Sequence, residues 1–150
     1  MTVDEKQYNE NIVAPSSTTN DLVLAKQEIM RFIELCPDAS FVEIERLLKD
    51  ENLIKNSEEK VSIFHHKFKN LIIWITNNNL LVDSISGLQK EIKLQVKPCS
   101  PWLYALDGQL LTLPIAKKIM DYKKPHWLPV AISLHPLQKL IKKNSNNTNC

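Results

Sequence analysis

SEEKVSIFHHKFKNLIIWITNNN, residues 57–79, is the stretch around which the chain is organised. Val61, Phe64, Phe68, Leu71, Ile72 and Ile75 recur at steps of three and four residues, the spacing that gathers side chains on one stripe of a helix. It predicts one long, half-buried helix over 57–79. Ser57 caps that helix, and Glu58 and Glu59 in its first turn oppose the positive end of the dipole. Asn77, Asn78 and Asn79 give the exit, since asparagine tolerates the left-handed conformation past helix ends. Lys60, His65, His66, Lys67, Lys69 and Asn70 fall mostly on other faces, and no carboxylate follows Glu59 in this stretch. The helix is therefore expected to offer an anion-facing side.

Downstream the period changes from 3.6 to 2. Leu80, Val82 and Ser84 alternate with Leu81, Asp83 and Ile85; Gly87 supplies a turn; Ile92, Leu94 and Val96 then alternate with Lys93, Gln95 and Lys97 as far as Pro98. This predicts an antiparallel hairpin over 80–97 with a lysine-rich outer face. Upstream, Asn20 or Asp21 caps a first helix carrying Leu22, Ala25, Ile29, Phe32, Ile33 and Cys36, which Pro37 stops. Ser40-Phe41-Val42-Glu43 has the form of a capping box, and a second helix runs from it to about Lys49. The connection DENLIKN, residues 50–56, exceeds the short turn of a compact helix-turn-helix.

Three helices followed by a hairpin with a basic outer strand resemble a winged-helix (winged helix-turn-helix) domain, over about residues 21–97. The expected fold class is α+β and helix-rich. The resemblance implies that helix 57–79 enters the major groove of double-stranded DNA while the hairpin touches the backbone. The nucleic-acid-binding candidates are Lys60, His65, His66, Lys67, Lys69 and Asn70 on the helix, with Lys90, Lys93 and Lys97 on the hairpin. Arg31 and Arg46, the only arginines, lie in the acidic half of the chain, outside helix 57–79. The bidentate guanine contact that arginine makes best is thus missing from the helix, which favours weak or shape-led binding over base-specific readout.

The last third is expected to be an extension, 98–143, packed on that core. Pro98-Cys99-Ser100-Pro101 is rigid and extended, Asp107-Gly108 signals a turn, and Pro114 opens a fourth helix over 114–122. Residues 127–134, interrupted by Pro129, read as an extended apolar segment rather than a central strand, and a last helix covers 136–143. Trp102, Tyr104 and Trp127 are candidates for contact with a protein partner or a second copy of the chain. The arm 1–20 and the tail 144–150 have too little apolar surface to offset their ordering entropy and are expected to be disordered.

Composition narrows the function classes. The 150 residues are 43% hydrophobic, enough for one core, and two glycines leave no phosphate-cradling glycine-rich loop. No apolar run has the length of a membrane span and the N-terminus lacks a signal-peptide core, so a soluble, cytoplasmic protein is expected. Cys36, Cys99 and Cys150 form neither a disulfide framework nor a zinc motif. On a helix, adjacent His65 and His66 point about 100° apart and cannot share one ion. With no hydrolase or metalloprotease signature, the chain is expected to be non-enzymatic, without cofactor, metal or small-molecule substrate.

Charge is uneven along the chain. Residues 1–87 hold 9 Lys/Arg against 14 Asp/Glu, whereas residues 88–150 hold 10 Lys against 3 acids. A basic half fits an anionic partner. The sequence therefore points to a nucleic-acid-binding or regulatory protein, with a protein–protein adaptor as the alternative.

Overall fold

The computed structural model describes residues 17–53 and 56–145. Its elements run α1 (Ser17–Leu35), α2 (Phe41–Asp50), β1 (Asn56–Phe64), β2 (Leu71–Asn78), α3 (Asn79–Lys90), β3 (Leu94–Pro98), α4 (Trp102–Asp107), β4 (His126–Trp127), β5 (Val130–Leu134) and α5 (Pro136–Ser145). The class is α+β. Of the arm and tail, residues 17–20 open α1 and residues 144–145 close α5; the rest of 1–20 and 144–150 lies outside the described residues.

The second helix follows its sequence signal, and the first keeps its apolar stripe but begins at Ser17, so Asn20 and Asp21 lie inside it and do not cap it. Ala25, Ile29 and Ile33 of α1 are buried at helical spacing. The capping box is formed in full: Glu43 N donates to Ser40 Oγ at 3.1 Å, and Ser40 N donates to Glu43 Oε1 at 3.0 Å. Two orphan amides at the start of α2 are thereby satisfied by the same pair of side chains.

Beyond Leu53 the expected order is overturned. Residues 56–78 form an antiparallel strand pair, with Val61 opposite Thr76, Ser62 opposite Ile75, Ile63 opposite Trp74 and Phe64 opposite Ile72. Leu71-Ile72-Ile73-Trp74-Ile75-Thr76 is rich in β-branched side chains, which fit a pleated surface better than a helix. The expected hairpin over 80–97 is instead α3 followed by β3. Leu80, Leu81, Ser84, Ile85 and Leu88 are buried together, and two adjacent buried leucines belong to a helical stripe rather than to an alternating strand. Asn78 caps α3, its Oδ1 accepting from Leu80 N and Leu81 N. The element order that carried the winged-helix resemblance is therefore absent.

Gly87, read as a hairpin turn, lies inside α3. A Cβ there would meet the Lys26 side chain at 3.0 Å, so the missing side chain lets Lys26 cross α3 to its partner Glu91.

Two small sheets meet through one short connection. The first has the order β1-β2-β4, with β4 parallel to β2, and the second pairs β3 antiparallel with β5. Leu128-Pro129 carries the chain from β4 to β5. On its other edge β5 has one isolated bridge, Ala39 opposite Ile132, and residues 130–134 are buried throughout in a two-stranded sheet. The ring of Pro129 stands between the two strands and removes an amide from neither ladder. No helix forms over 114–122; Ile115 instead bridges Trp127.

Trp74, Tyr104 and Trp127 pack where the layers meet, with centroids 5.1 Å apart for Trp74–Tyr104 and 5.2 Å for Tyr104–Trp127. Trp127 Nε1 donates to Ile73 O at 3.2 Å and Trp74 Nε1 to Glu45 Oε2 at 3.1 Å. Both indoles thus place their polar handle while burying the ring.

Candidate nucleic-acid interface

Because residues 57–79 are two strands, the HHKFKN segment between them becomes a six-residue turn, 65–70, at the tip of the β1–β2 ribbon. His65 N donates to Leu71 O at 2.9 Å and Leu71 N to Phe68 O at 3.2 Å, which closes the turn. A register shift between Ile63 and Phe64 precedes it; such bulges bend a strand and re-aim the side chains beyond. Lys67 and Lys69 are exposed on the turn, and Asn70 is half-buried.

Asn70 ties the turn to a second basic segment. Its Nδ2 donates to Tyr122 O at 2.9 Å, and its carbonyl accepts from His126 N at 2.8 Å. Tyr122 and His126 stack with centroids 3.9 Å apart, and the Tyr122 hydroxyl donates to Lys118 O at 2.9 Å. Farther along, Ala116 N donates to Trp127 O and Trp127 N to Pro114 O, both at 2.8 Å. These bonds hold the 114–125 loop beside the ribbon tip without regular secondary structure.

The electrostatic result is one-sided. Residues 65–70 and 117–126 together bring Lys67, Lys69, Lys117, Lys118, Lys123 and Lys124 against a single carboxylate, Asp121. All six lysines are exposed, and none forms an ion pair among the described residues. A concentration of like charge of this kind favours an anionic counterpart.

Aromatic rings are interleaved with the lysines. His66 stacks on His65 at 4.4 Å and His65 on Phe68 at 5.6 Å, forming a short column whose outer member, His66, is exposed. His65 Nδ1 accepts from Lys67 N at 3.1 Å. Burial, followed by the neighbouring charges of His66 and Lys67, holds the His65 imidazole below its ordinary pKa. His126 Nδ1 lies 2.8 Å from Lys124 O; a carbonyl only accepts, so Nδ1 carries a proton.

Of the residues singled out in the sequence, His65, His66, Lys67, Lys69 and Asn70 come together here, on a turn rather than on a helix. Lys60 lies lower on β1, while Lys90 ends α3 and Lys93 and Lys97 belong to the approach and body of β3 in the other sheet. These four do not join the turn. Comparisons with protein-family models, curated proteins and solved structures find no match. Among the described residues no group of three or more His, Cys, Asp or Glu side chains could hold a metal ion, and no helix is long and apolar enough to cross a membrane.

The interaction candidates separate. Trp102 is 71% exposed, whereas Tyr104 and Trp127 are both at 0% and belong to the core. The contacts that Tyr104 and Trp127 satisfy internally explain the correction: the Tyr104 hydroxyl donates to Val130 O and accepts from Phe41 N. Sequence reasoning missed Lys117, Lys118, Tyr122, Lys123, Lys124 and His126. Their signal was the doubled lysines of KKIMDYKKPH, residues 117–126, which a helical reading spreads around an axis instead of gathering beside Asn70.

Proposed function

We propose that this chain is a non-enzymatic nucleic-acid-binding protein that contacts the phosphate backbone through the turn 65–70 and the loop 117–126. The observation that carries the reading is the Asn70–Tyr122 hydrogen bond, which holds the turn with Lys67 and Lys69 against the loop that carries Lys117, Lys118, Lys123 and Lys124, all six exposed. Lysine neutralises phosphates as a point charge, and counterions released from the nucleic acid supply the driving force. Arg31 and Arg46 lie on α1 and α2, so this surface lacks the rigid guanidinium fork that reads guanine best, and contact is expected to be largely independent of sequence.

The test is affinity across a salt series. About four phosphate contacts give a slope of log K against log salt near −3. Replacing Lys67, Lys69 and Lys118 together by Glu should weaken binding at low salt more than tenfold, whereas Lys49→Glu on α2 should change it little. Equal affinities for the two variants, or no binding by the parent protein near 50 mM salt, would refute the proposal.

A second reading, contact with a protein partner, is favoured by a different surface. Trp102 and Leu106, on one face of α4, are 71% and 81% exposed, and Leu110 beyond them is 54% exposed. A tryptophan with two leucines makes an apolar patch of the type found at binding surfaces. Trp102→Ala should abolish such contact while leaving the salt-dependent affinity for nucleic acid intact.

A further inference from the structure

The turn–loop surface, if it binds nucleic acid as proposed, has a shape that selects between forms of it. A two-stranded ribbon can enter a major groove about 12 Å wide when it stands alone. Here β1 and β2 are joined on the β2 edge by β4, and β4 is joined in turn by residues 114–116 through the Ile115–Trp127 bridge. Four chain segments side by side at roughly 4.8 Å span about 14 Å between their outer axes, before any side chain is added. The tip is too broad for the groove. Nor does a helix replace it: the lysines and rings of this surface all lie on the turn, on β4 or on irregular backbone.

The rings give the surface a second capability. The column His66–His65–Phe68 ends in an exposed imidazole on whose outer face no further ring stacks among the described residues, and the Tyr122–His126 stack stands across the Asn70 bond from it. Duplex bases are stacked on each other and present only their edges. Unpaired bases present a face, and any of the four can lie on an aromatic ring.

We infer, on the basis of that proposed nucleic-acid binding, that the form bound is single-stranded, its phosphates tracking along Lys67, Lys69, Lys118 and Lys123 while an unpaired base lies on the outer face of His66. The lysines then set affinity without regard to sequence, and the ring sets the preference for an unpaired strand. His66 suits this role because it is exposed, so the fold does not depend on its burial.

The experiment compares a labelled oligothymidylate of about 15 nucleotides with a duplex of the same length by fluorescence anisotropy at low salt. The single strand should bind at least tenfold more tightly. His66→Ala should weaken single-strand binding about fivefold or more with the melting temperature unchanged. His66→Tyr, which keeps a stacking face, should restore the single-strand affinity. Equal or tighter binding of duplex, or a His66→Ala variant that binds the single strand like the parent, overturns this inference and leaves the backbone-binding reading standing. Failure of both probes to bind overturns that reading and this inference with it.

Discussion

Asn70 Nδ2 donates to the carbonyl of Tyr122 at 2.9 Å, across 52 positions of sequence. One end lies in the turn between β1 and β2 and the other in the lysine loop, and the neighbouring bond from His126 N to Asn70 O runs the opposite way. Asn70→Ala removes the side-chain bond but keeps the backbone one. A stability loss of about 1 kcal/mol is expected, because the Tyr122 carbonyl can turn to water. The larger effect should fall on oligonucleotide affinity, reduced severalfold as the two lysine groups come apart. Denaturant midpoint and anisotropy measured on the same variant separate the two effects; an unchanged affinity would show that β4 alone positions the loop.

Tyr104 is the most exacting polar position in the core. Its hydroxyl accepts from Phe41 N at 3.1 Å and donates to Val130 O at 2.7 Å, joining the start of α2 to the start of β5. Burial first, partly offset by the bond from Phe41, pushes the phenol far above its ordinary range, so it stays protonated. Tyr104→Phe leaves a backbone donor and a backbone acceptor buried without a partner. A loss of about 2–6 kcal/mol is expected, at roughly 1–3 kcal/mol for each such group. Urea unfolding with an unchanged m-value is the check.

How much of the fold could be read in the sequence depends on which interactions were local. The capping box at Ser40 and Glu43 and the stripe of α1 lie within a few residues, and both were legible. Residues 57–79 were not, because Val61, Phe64, Phe68, Leu71, Ile72 and Ile75 satisfy helical spacing by coincidence. Phe68 belongs to the turn, and in β2 Ile72, Trp74 and Thr76 are buried on one face while Leu71, Ile73 and Ile75, on the other, are apolar as well. A strand with apolar residues on both faces shows no alternation of polarity to detect; the signal that remained was its β-branched composition. Gly87 misled for a related reason: its role is set by Lys26, 61 positions away. The candidate site was half legible. Lys67, Lys69 and their neighbours were found, but the loop lysines join them only through Asn70, a tertiary contact that no local pattern encodes.

Ile92 occupies a backbone conformation that its side chain disfavours. Its φ is 56° just past α3, where Lys93 N donates to Leu88 O at 2.9 Å and Ile92 N to Gln89 O at 3.0 Å. Glycine or asparagine is usual at such a left-handed helix end, and a β-branched residue is an outlier. The side chain is 46% exposed, so little packing is lost by changing it. Ile92→Asn is expected to stabilise the protein by about 1 kcal/mol through relief of that strain. A lower melting temperature would show instead that the exposed isoleucine makes apolar contacts worth more than the strain.

The cysteines should differ in reactivity. Burial, reinforced by the Asp38 charge, pushes the Cys99 thiol up to about 11, while Cys36 is exposed. At pH 8 the thiolate fraction of Cys99 is then on the order of a hundredfold below that of an ordinary cysteine. Iodoacetamide labelling followed by peptide mass mapping should show Cys36 modified well before Cys99. Rates within a factor of two of each other would mean that the segment around Cys99 opens readily.

His65 gives the pH dependence. Burial first, then the charges of His66 and Lys67, lower its pKa below 6.5 in the folded protein. The unfolded chain therefore takes up the proton first as pH falls. Folding is unaffected by this group above about pH 6.5 and becomes less favourable as pH drops from there through the folded value, below which the effect is constant. NMR titration should place the His65 midpoint below 6.5. Lys67→Gln removes one of the repelling charges and should move that midpoint upward, while His65→Gln should flatten this part of the stability profile. A midpoint at or above 6.5 in the parent protein would mean that the His66–His65–Phe68 column is open to water and does not hold its stack.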